Sequence, residues 1–253
     1  MFIHVRDAAF HVRSFGVGDP PIVQTGALTL ASEVWSVLTD RFAHERRIVS
    51  VDQRGAGRTQ GTTDGMTFAS QAEDLIAILD QLGVTRCVHL TESTGSASAL
   101  IASARRPDLF AGLVLVAPNW WSPPRSAAGA APEEDPPVHE MIQWLSATSF
   151  VEDDPVLVRW GVDLLSGDDA AFRDHTRLAG TVDLRDVVPR VTTPTLVVHG
   201  TADAIVPLER SRTLVELLPA AELQVFDGMG HEVVSRADDV AEALRSFIAG
   251  LSD

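Results

Sequence analysis

A serine flanked by small residues lies at the junction of two apolar segments. Ser93 follows a β-rich run that ends at Leu90, and it precedes a helical run that begins near Ala97. Thr91 and Gly95, two positions before and after the serine, are small enough for a strand to turn sharply into a helix. Such a turn exposes the serine hydroxyl and places the next amide at a helix N-terminus, beside the point of attack. The segment has the context of a nucleophile elbow, although a serine between small residues also commonly caps a helix.

Loops with reactive or hydrogen-bonding residues follow other β-rich runs as well. Gly26 and Ala27 come directly after one run, and the backbone N–H of Ala27 could donate to an oxyanion. Asp52 opens a loop that also carries two arginines. Asp203 and His231 each lie in a loop directly after a later run, and the loop of His231 is rich in glycine. Each of these loops therefore directly follows a predicted strand, as the segment with Ser93 does.

The β-rich runs alternate with helical segments, which is the pattern of a mostly parallel sheet covered on both faces. The first two runs are close enough in the chain to form an antiparallel hairpin, and the later runs require crossovers. The sequence therefore predicts an α/β fold with eight strands, at residues 2–6, 10–15, 21–25, 47–52, 86–90, 113–117, 195–199 and 222–226.

Two segments show the three- and four-residue spacing of apolar residues that is typical of amphipathic helices. The first covers residues 68–82, with Thr67 as its N-cap. The second lies near the C-terminus and ends at Gly250, and Ser235 and Asp238 have the spacing of a capping box before it. We predict that both helices are structural and pack on the sheet.

The interval at residues 118–189 breaks this alternation. It opens with a Pro- and Gly-bearing stretch and an acidic run, and three helical segments follow, at residues 138–150, 155–165 and 168–180. We interpret it as a helical lid inserted after the sixth strand. Residues 1–117 and 190–253 would then form the core of a single domain, which suits a chain of 253 residues.

With the serine motif, these loops make the chain resemble the α/β-hydrolase family. The resemblance is to the branch of small esterases, lactonases, carbon–carbon bond hydrolases and cofactor-free haloperoxidases, and four motifs stand in the family's order. It implies that Ser93 is the nucleophile, that His231 takes and returns its proton, and that Asp203 orients the imidazole. The backbone N–H groups of Ala27 and Thr94 would form the oxyanion hole.

Other polar residues near these motifs have competing interpretations. Some relatives take their acid from the end of the sixth strand, but that strand here ends at Asn119 without a carboxylate. Glu92, beside Ser93, is either a second acid or a polar residue that packs near the site. The resemblance implies that Asp52 and the arginines after it organise loops through salt bridges.

Two positions depart from the family pattern. Thr25 stands where the family usually has a histidine before the glycine of the oxyanion loop. Thr91 stands where it usually has the first glycine of the elbow. The backbone donors do not depend on either side chain, so the sequence still predicts catalysis, but not a close match to a well-known esterase subgroup.

Four of the five tryptophans fall within the predicted lid. Trp120 and Trp121 directly follow a strand above the nucleophile, and Trp144 lies in the first predicted lid helix. Large aromatic side chains there either line an apolar pocket or fill the interior of a small helical insertion. We predict that Trp120, Trp121, Trp144 and Gly26 bind substrate.

Composition restricts the partners of the chain. The net charge of −15 disfavours nucleic acid and anionic membrane surfaces, because a polyanion would be repelled. The single cysteine, Cys87, lies in an apolar run and is expected to be a buried strand residue. The N-terminus lacks the pattern of a signal peptide and no stretch has the length of a membrane span, which predicts a soluble, cytoplasmic protein. Without a metal-ligand cluster or phosphate-binding loop, we expect no metal or cofactor, and a homodimer stays open.

Three functions remain open at this point. The first is a serine hydrolase that cleaves a small to medium, largely apolar ester, lactone or thioester through an acyl-enzyme. The second keeps the fold but uses His231 as a base for carbon–carbon bond hydrolysis, a lyase reaction or cofactor-free oxygen chemistry. The third is a ligand-binding receptor with slow turnover. Measuring the turnover of simple esters would distinguish it from an enzyme. An aspartate at the elbow would be needed for dehalogenase or epoxide-hydrolase chemistry, and a serine stands there.

Overall fold

A computed structural model describes residues 1–123, 136–149, 155–165 and 168–251. It contains one eight-stranded sheet. The strands are β1 (Phe2–Val5), β2 (Ala8–Phe15), β3 (Ile22–Thr25), β4 (Ile48–Val51), β5 (Cys87–Glu92), β6 (Phe110–Val116), β7 (Thr195–Gly200) and β8 (Ala221–Phe226). Their order in the sheet is β1-β2-β4-β3-β5-β6-β7-β8. The number and positions of the strands agree with the prediction from the apolar runs.

Only the N-terminal end of the sheet is antiparallel. β1 pairs with β2 as a hairpin, β2 pairs antiparallel with β4, and all later pairs are parallel. Every residue of β3, β4, β5, β6 and β7 is buried, as expected for parallel strands that are covered on both faces. The edge strand β8 instead has residues that are exposed at every second position. The predicted fold class, a mostly parallel α/β sheet with flanking helices, is confirmed.

Eight α-helices lie in the part of the chain that the structure describes. They are α1 (Ser36–Phe42), α2 (Phe68–Gln81), α3 (Gly95–Arg105), α4 (Val138–Ser149), α5 (Pro155–Leu164), α6 (Asp169–Ala179), α7 (Leu208–Leu217) and α8 (Ala237–Gly250). Leu75 and Leu100 pack on one face of the sheet, and Leu38 and Leu244 pack on the other. None of the described helices has the length and apolar character needed to cross a membrane.

The two helix starts that were predicted from the sequence have different outcomes. Thr67 caps α2, since its hydroxyl accepts from the Ser70 N–H, and Ser70 completes a capping box. The capping box predicted for Ser235 and Asp238 is wrong. A short 3-10 turn at Val234–Arg236 precedes α8, so the N-cap moves to Arg236, which makes no side-chain cap hydrogen bond.

Helices α4, α5 and α6 lie between β6 and β7, where the sequence predicts an inserted lid. The bounds differ from the predicted segments by one residue at several ends, and Phe150 and the acidic run at 133–135 lie outside the described residues. The insertion meets the core at a short bridge between Leu30 and Leu165, and a second bridge, between Trp121 and Asp183, joins the two ends of the insertion. Whether these helices act as a separate lid stays a prediction.

Candidate active site

Ser93 has a backbone conformation that residues with a side chain seldom adopt. It follows the last residue of β5, and its φ angle is +45°. A left-handed conformation at a residue other than glycine costs about 1–3 kcal/mol and persists only where neighbours hold it. The Ser93 N–H donates to the Val116 carbonyl at 2.8 Å, and the Ser93 carbonyl accepts from Asn119 at 3.0 Å. These bonds fix the strand-to-helix turn between β5 and α3.

Small residues around this turn are required by close contacts. A Cβ atom on Gly95 would lie 2.2 Å from Thr91 Oγ1 and 2.7 Å from the Gly26 carbonyl oxygen. A Cβ on Gly26 would in turn lie 2.3 Å from the Leu30 carbonyl oxygen. The glycines therefore let the oxyanion loop and the start of α3 approach each other.

The two departures from the family pattern contact each other. Thr25 Oγ1 donates to Thr91 Oγ1 at 3.0 Å and also lies 3.0 Å from His89 Nε2. All three residues are buried. The Thr91 hydroxyl at the elbow thus accepts a hydrogen bond from Thr25, which stands at the position of the usual histidine. The sequence analysis treated the two positions separately and therefore missed this contact.

Asp203 and His231 are joined by a hydrogen bond. The Nδ1–H of His231 donates to Asp203 Oδ2 at 2.8 Å, and His199 Nε2 lies 3.2 Å from the same oxygen. The other oxygen, Oδ1, accepts from the N–H groups of Ile205 at 2.8 Å and Val206 at 2.9 Å. The side chain of Asp203 is fully buried, so these donors replace the water that it loses.

Charge and hydrogen bonding shift the pKa values of both Asp203 and His231. Burial alone would raise the pKa of Asp203, but the hydrogen bonds from His199 and His231 and the backbone hold that pKa well below its usual value. Burial alone would lower the pKa of His231. Its hydrogen bond to Asp203 and the negative charges of Asp203 and Glu232 instead hold the pKa of His231 above its usual value. An imidazole that binds a proton this readily is suited to accept one from a hydroxyl.

Ser93 and His231 line the same cavity, which has a volume of about 600 Å³. Within the described residues, no hydrogen bond joins Ser93 Oγ to His231, so proton transfer requires these side chains to approach each other when substrate binds. Catalytic hydrogen bonds are often long before substrate is bound. A cavity of this volume is of the size that holds small organic ligands.

The predicted oxyanion donors lie in the wall of this cavity. Ala27 and Thr94 both line it, and neither backbone N–H donates a hydrogen bond to any described residue. The loop that carries Ala27 is held in place by Thr94, whose Oγ1 accepts from the Leu28 N–H at 3.0 Å. Buried amides without a partner are rare in folded proteins, so the pair is arranged to receive an acceptor.

The walls of the cavity are mostly apolar, and they come from both the core and the insertion. The large apolar side chains that line it are Leu30, Val34, Trp144, Trp160, Leu164 and Phe172. Of the residues predicted to bind substrate, Trp144 therefore lines the cavity. Trp160, which the sequence analysis did not select, lines it as well.

Trp120, Trp121 and Gly26 are not among the described residues that line the cavity. Trp120 is buried at 1% exposure, and its indole Nε1–H donates to the Arg210 carbonyl at 2.9 Å. Trp121 stacks under the guanidinium of Arg185, with 5.7 Å from the ring centre to Cζ. Both side chains therefore make their contacts outside the cavity. Gly26 is instead required because a side chain there would collide with the Leu30 carbonyl oxygen.

Two glutamates flank the reactive residues. Glu92 precedes Ser93, Glu232 follows His231, and both line the cavity with exposures of 1% and 9%. Burial raises the pKa of Glu92, and the neighbouring Glu232 raises it further. The pKa of Glu232 is also raised, chiefly by burial. Since two facing carboxylates have no donor between them, one shared proton is required for the pair to be hydrogen-bonded.

Arg210 and Asn119 are further cavity residues that the sequence analysis did not select. Arg210 lies in the first turn of α7, and its Nη1 donates to Asn119 Oδ1 at 3.1 Å. No sequence signal distinguishes Arg210 from the many surface arginines, since its position depends on how α7 packs on β7 and β8. In the described part of the chain, no group of three or more His, Cys, Asp or Glu residues could hold a metal ion.

Comparisons with known proteins agree with this architecture. A family model described as serine aminopeptidase, S33, matches residues 32–238. The bifunctional esterase/perhydrolase DCH of Acinetobacter calcoaceticus is 26% identical over 263 residues, which covers 93% of this chain and 94% of that protein. The 2-hydroxymuconate semialdehyde hydrolase of Pseudomonas putida is 28% identical over 222 residues, or 83% of this chain and 79% of that protein.

A solved structure shows the same fold. The enol-lactonase from Burkholderia xenovorans LB400 superposes with a TM-score of 0.87 at 20% sequence identity, over 98% of this chain and 100% of that chain. The resemblance that the sequence motifs indicate is therefore confirmed. The chain is a hydrolase enzyme that belongs to the serine aminopeptidase S33 family of α/β-hydrolases.

Proposed function

We propose that the protein cleaves a small to medium ester, lactone or thioester through an acyl-enzyme formed on Ser93. The observation that carries this proposal is the convergence on one cavity of three elements. These are the left-handed Ser93, the hydrogen-bonded His231 and Asp203 pair, and the unpaired amides of Ala27 and Thr94. The names of similar proteins, an esterase/perhydrolase and an enol-lactonase, support the same class of reaction.

The first half of the reaction forms the acyl-enzyme. His231 accepts the proton of Ser93 as the serine oxygen attacks the substrate carbonyl. The tetrahedral oxyanion accepts hydrogen bonds from the amides of Ala27 and Thr94, and Asp203 stabilises the imidazolium. His231 then donates its proton to the leaving alcohol or thiol, and the carbon–oxygen or carbon–sulfur bond breaks.

The second half releases the acid. Water enters the cavity, His231 accepts one of its protons, and the resulting nucleophile attacks the acyl carbonyl. The same two amides hold the second oxyanion. The proton returns from His231 to Ser93 Oγ as the acid leaves, so no group of the protein is consumed and the stated steps require no metal or cofactor.

The apolar wall sets the expected range of substrates. Trp144 and Trp160 come from the inserted helices, and Leu30 and Val34 come from the core. An acyl chain or lactone ring between them would be removed from water, which contributes about 25 cal/mol per Å² of apolar surface buried. We assign the inserted helices the role of a lid that closes over this part of the substrate.

The decisive experiment is labelling with a fluorophosphonate followed by intact-mass analysis. We expect one adduct on the wild type, and none on Ser93→Ala or on His231→Ala. Ser96→Ala is the matched control, because Ser96 is buried one turn further along and is expected to leave the adduct unchanged. Burst release of nitrophenol from p-nitrophenyl esters of increasing length would then measure the pocket. A labelled Ser93→Ala protein would overturn the assignment of the nucleophile.

Hydrolysis of a carbon–carbon bond is the second candidate, because one relative is a 2-hydroxymuconate semialdehyde hydrolase. The same serine and histidine would serve both reactions, so the fold does not separate them. Parallel assays with 2-hydroxymuconate semialdehyde and with p-nitrophenyl esters would. Turnover of the semialdehyde that exceeds ester turnover would favour this second candidate.

A further inference from the structure

The catalytic cavity contains one cationic side chain without a carboxylate partner. Arg210 is the only arginine or lysine among the described residues that line the cavity. Its guanidinium donates to the neutral Asn119 Oδ1, and within the described ranges it forms no ion pair with an aspartate or glutamate. Other arginines of the chain, such as Arg54 and Arg212, pair with carboxylates. Among the described residues, the charge of Arg210 therefore has no carboxylate with which it pairs.

Short hydrogen bonds hold Arg210 close to the reacting residues. The Asn119 N–H donates to the Ser93 carbonyl at 3.0 Å, so the acceptor of Arg210 is attached to the nucleophile's own backbone. The Arg210 carbonyl accepts from Trp120 Nε1 at 2.9 Å, and its N–H donates to the Pro207 carbonyl at 2.9 Å. Its backbone is thus fixed to the end of β6 on one side and to the loop of Asp203 on the other.

The guanidinium is also partly withdrawn from water. Burial lowers the pKa of Arg210, and no negative charge compensates for the lost hydration. A guanidinium has five N–H donors in a planar fork, and Asn119 accepts from only one of its nitrogens. Partly buried charges are normally paired, so a site of this kind is complete only when an anion is present.

We propose that Arg210 binds a carboxylate carried by the substrate, and that Asn119 orients the guanidinium for it. This inference rests on the proposed function, and it narrows the substrate to an ester or lactone with one carboxylate on its acyl part. The planar fork matches the two oxygens of a carboxylate. The rest of the cavity is mostly apolar and suits the intervening carbon chain, and a single cation suits a single negative charge.

The test compares two esters that differ only in this group, monomethyl adipate and methyl hexanoate. We expect Arg210→Met to lower the ratio of their kcat/KM values, charged over neutral, by about 10- to 100-fold. Arg210→Lys keeps a charge without the fork and should lower the ratio by a smaller factor. Arg212→Met is the matched control, because Arg212 lies two residues further on α7, its side chain is 56% exposed, and the ratio should stay at the wild-type value. A wild-type ratio that Arg210→Met leaves unchanged would overturn the proposal.

A binding measurement separates this proposal from the proposed function. Calorimetric titration of monomethyl adipate into Ser93→Ala protein measures affinity without catalysis. Affinity that falls at least about tenfold when Arg210→Met is added supports the carboxylate site, even if no ester is turned over. Equal affinity in both proteins contradicts it, even if Ser93 is labelled as proposed. Circular dichroism and thermal melting of each variant show that the comparison is between folded proteins.

Discussion

Two buried groups of charged residues differ in how their carboxylate oxygens are satisfied. The loop cluster consists of His11, Asp52, Arg54 and Asp74. Asp52 accepts from Ser32 N–H at 2.9 Å and from the Arg58 N–H at 3.0 Å, and Arg54 Nε donates to Asp74 at 3.1 Å. The glutamate pair consists of Glu92 and Glu232. Three of its four carboxyl oxygens have no hydrogen-bond donor among the described residues.

The pKa values follow this difference. Burial alone would raise the pKa of Asp52, but hydrogen bonds from Ser32, Arg58 and His11 hold it below its usual value. Three of the four oxygens of the glutamate pair lack such donors among the described residues, and burial is the main cause that raises both of its pKa values. Hydrogen-bond donors thus compensate the buried charge of Asp52, whereas the glutamate pair has few of them among the described residues. The unsatisfied pair is the one that touches the cavity.

The largest expected effect is on the stability of the protein, when a carboxylate of the loop cluster is removed. Asp74→Ala removes the buried partner of Arg54, whose side chain is 7% exposed, and leaves this guanidinium with Asp7, a carboxylate that is 57% exposed. We expect the free energy of unfolding to fall by about 3–5 kcal/mol. Urea denaturation with a common m-value measures the change.

Glu73→Ala provides the control for this measurement. Glu73 is the preceding residue on α2 and pairs with Arg6 and Arg105, but its side chain is 51% exposed. Exposed pairs contribute about 0–1 kcal/mol, so the loss should be small. If the two substitutions lower the free energy of unfolding by the same amount, the buried pair of Arg54 and Asp74 does not stabilise the fold more than an exposed pair does.

The fold could be predicted from the sequence because its signals are local. Apolar runs such as the one that became β6 are buried on both faces, and their length and spacing are visible in the chain. Ser93, Asp203 and His231 could be located in the same way, because each lies in a loop directly after such a run. Thr67 was identified because it directly precedes the apolar periodicity of α2, whereas the start of α8 was misplaced because a 3-10 turn preceded it.

The cavity could be predicted only in part, because its walls depend on contacts between distant segments. Arg210 enters it through the packing of α7, and Glu232 through the pairing with Glu92, and neither residue stands out in the sequence. Trp120 was selected for its position after a strand, but its indole bonds to the Arg210 carbonyl instead. A position directly after a strand therefore did not reveal which way this side chain points.

The second expected effect is on the pH dependence of catalysis. The negative charge of Glu232 helps to hold the pKa of His231 above its usual value. Glu232→Gln removes that charge, so the pKa of His231 should fall, and the acid limb of kcat/KM against pH should move to lower pH. The limb reports the free enzyme, in which the base must be unprotonated.

Glu140→Gln is the matched control for this profile. Glu140 also lines the cavity, but it is an exposed residue of α4 and is not among the groups that shift the pKa of His231. Its replacement should leave the acid limb within about 0.2 units, since solvent screens exposed charges. A limb that moves equally in both variants would show that the shift reports overall charge and not the contact of Glu232.

The smallest expected effect is on the slope of stability against pH, and the two clusters contribute with opposite signs. Asp52 has a lowered pKa, so it stabilises the fold above its unfolded pKa and loses this contribution as the pH falls. Glu92 and Glu232 have raised pKa values, so above about pH 4.5 the folded state binds more protons than the unfolded state, and stability declines as the pH rises. Replacing both glutamates with glutamine should therefore raise the free energy of unfolding at pH 7 by about 1–2 kcal/mol relative to pH 5. Urea denaturation at both pH values measures this difference, and a double variant with the wild-type slope would mean that the pair is already ionised in the folded protein.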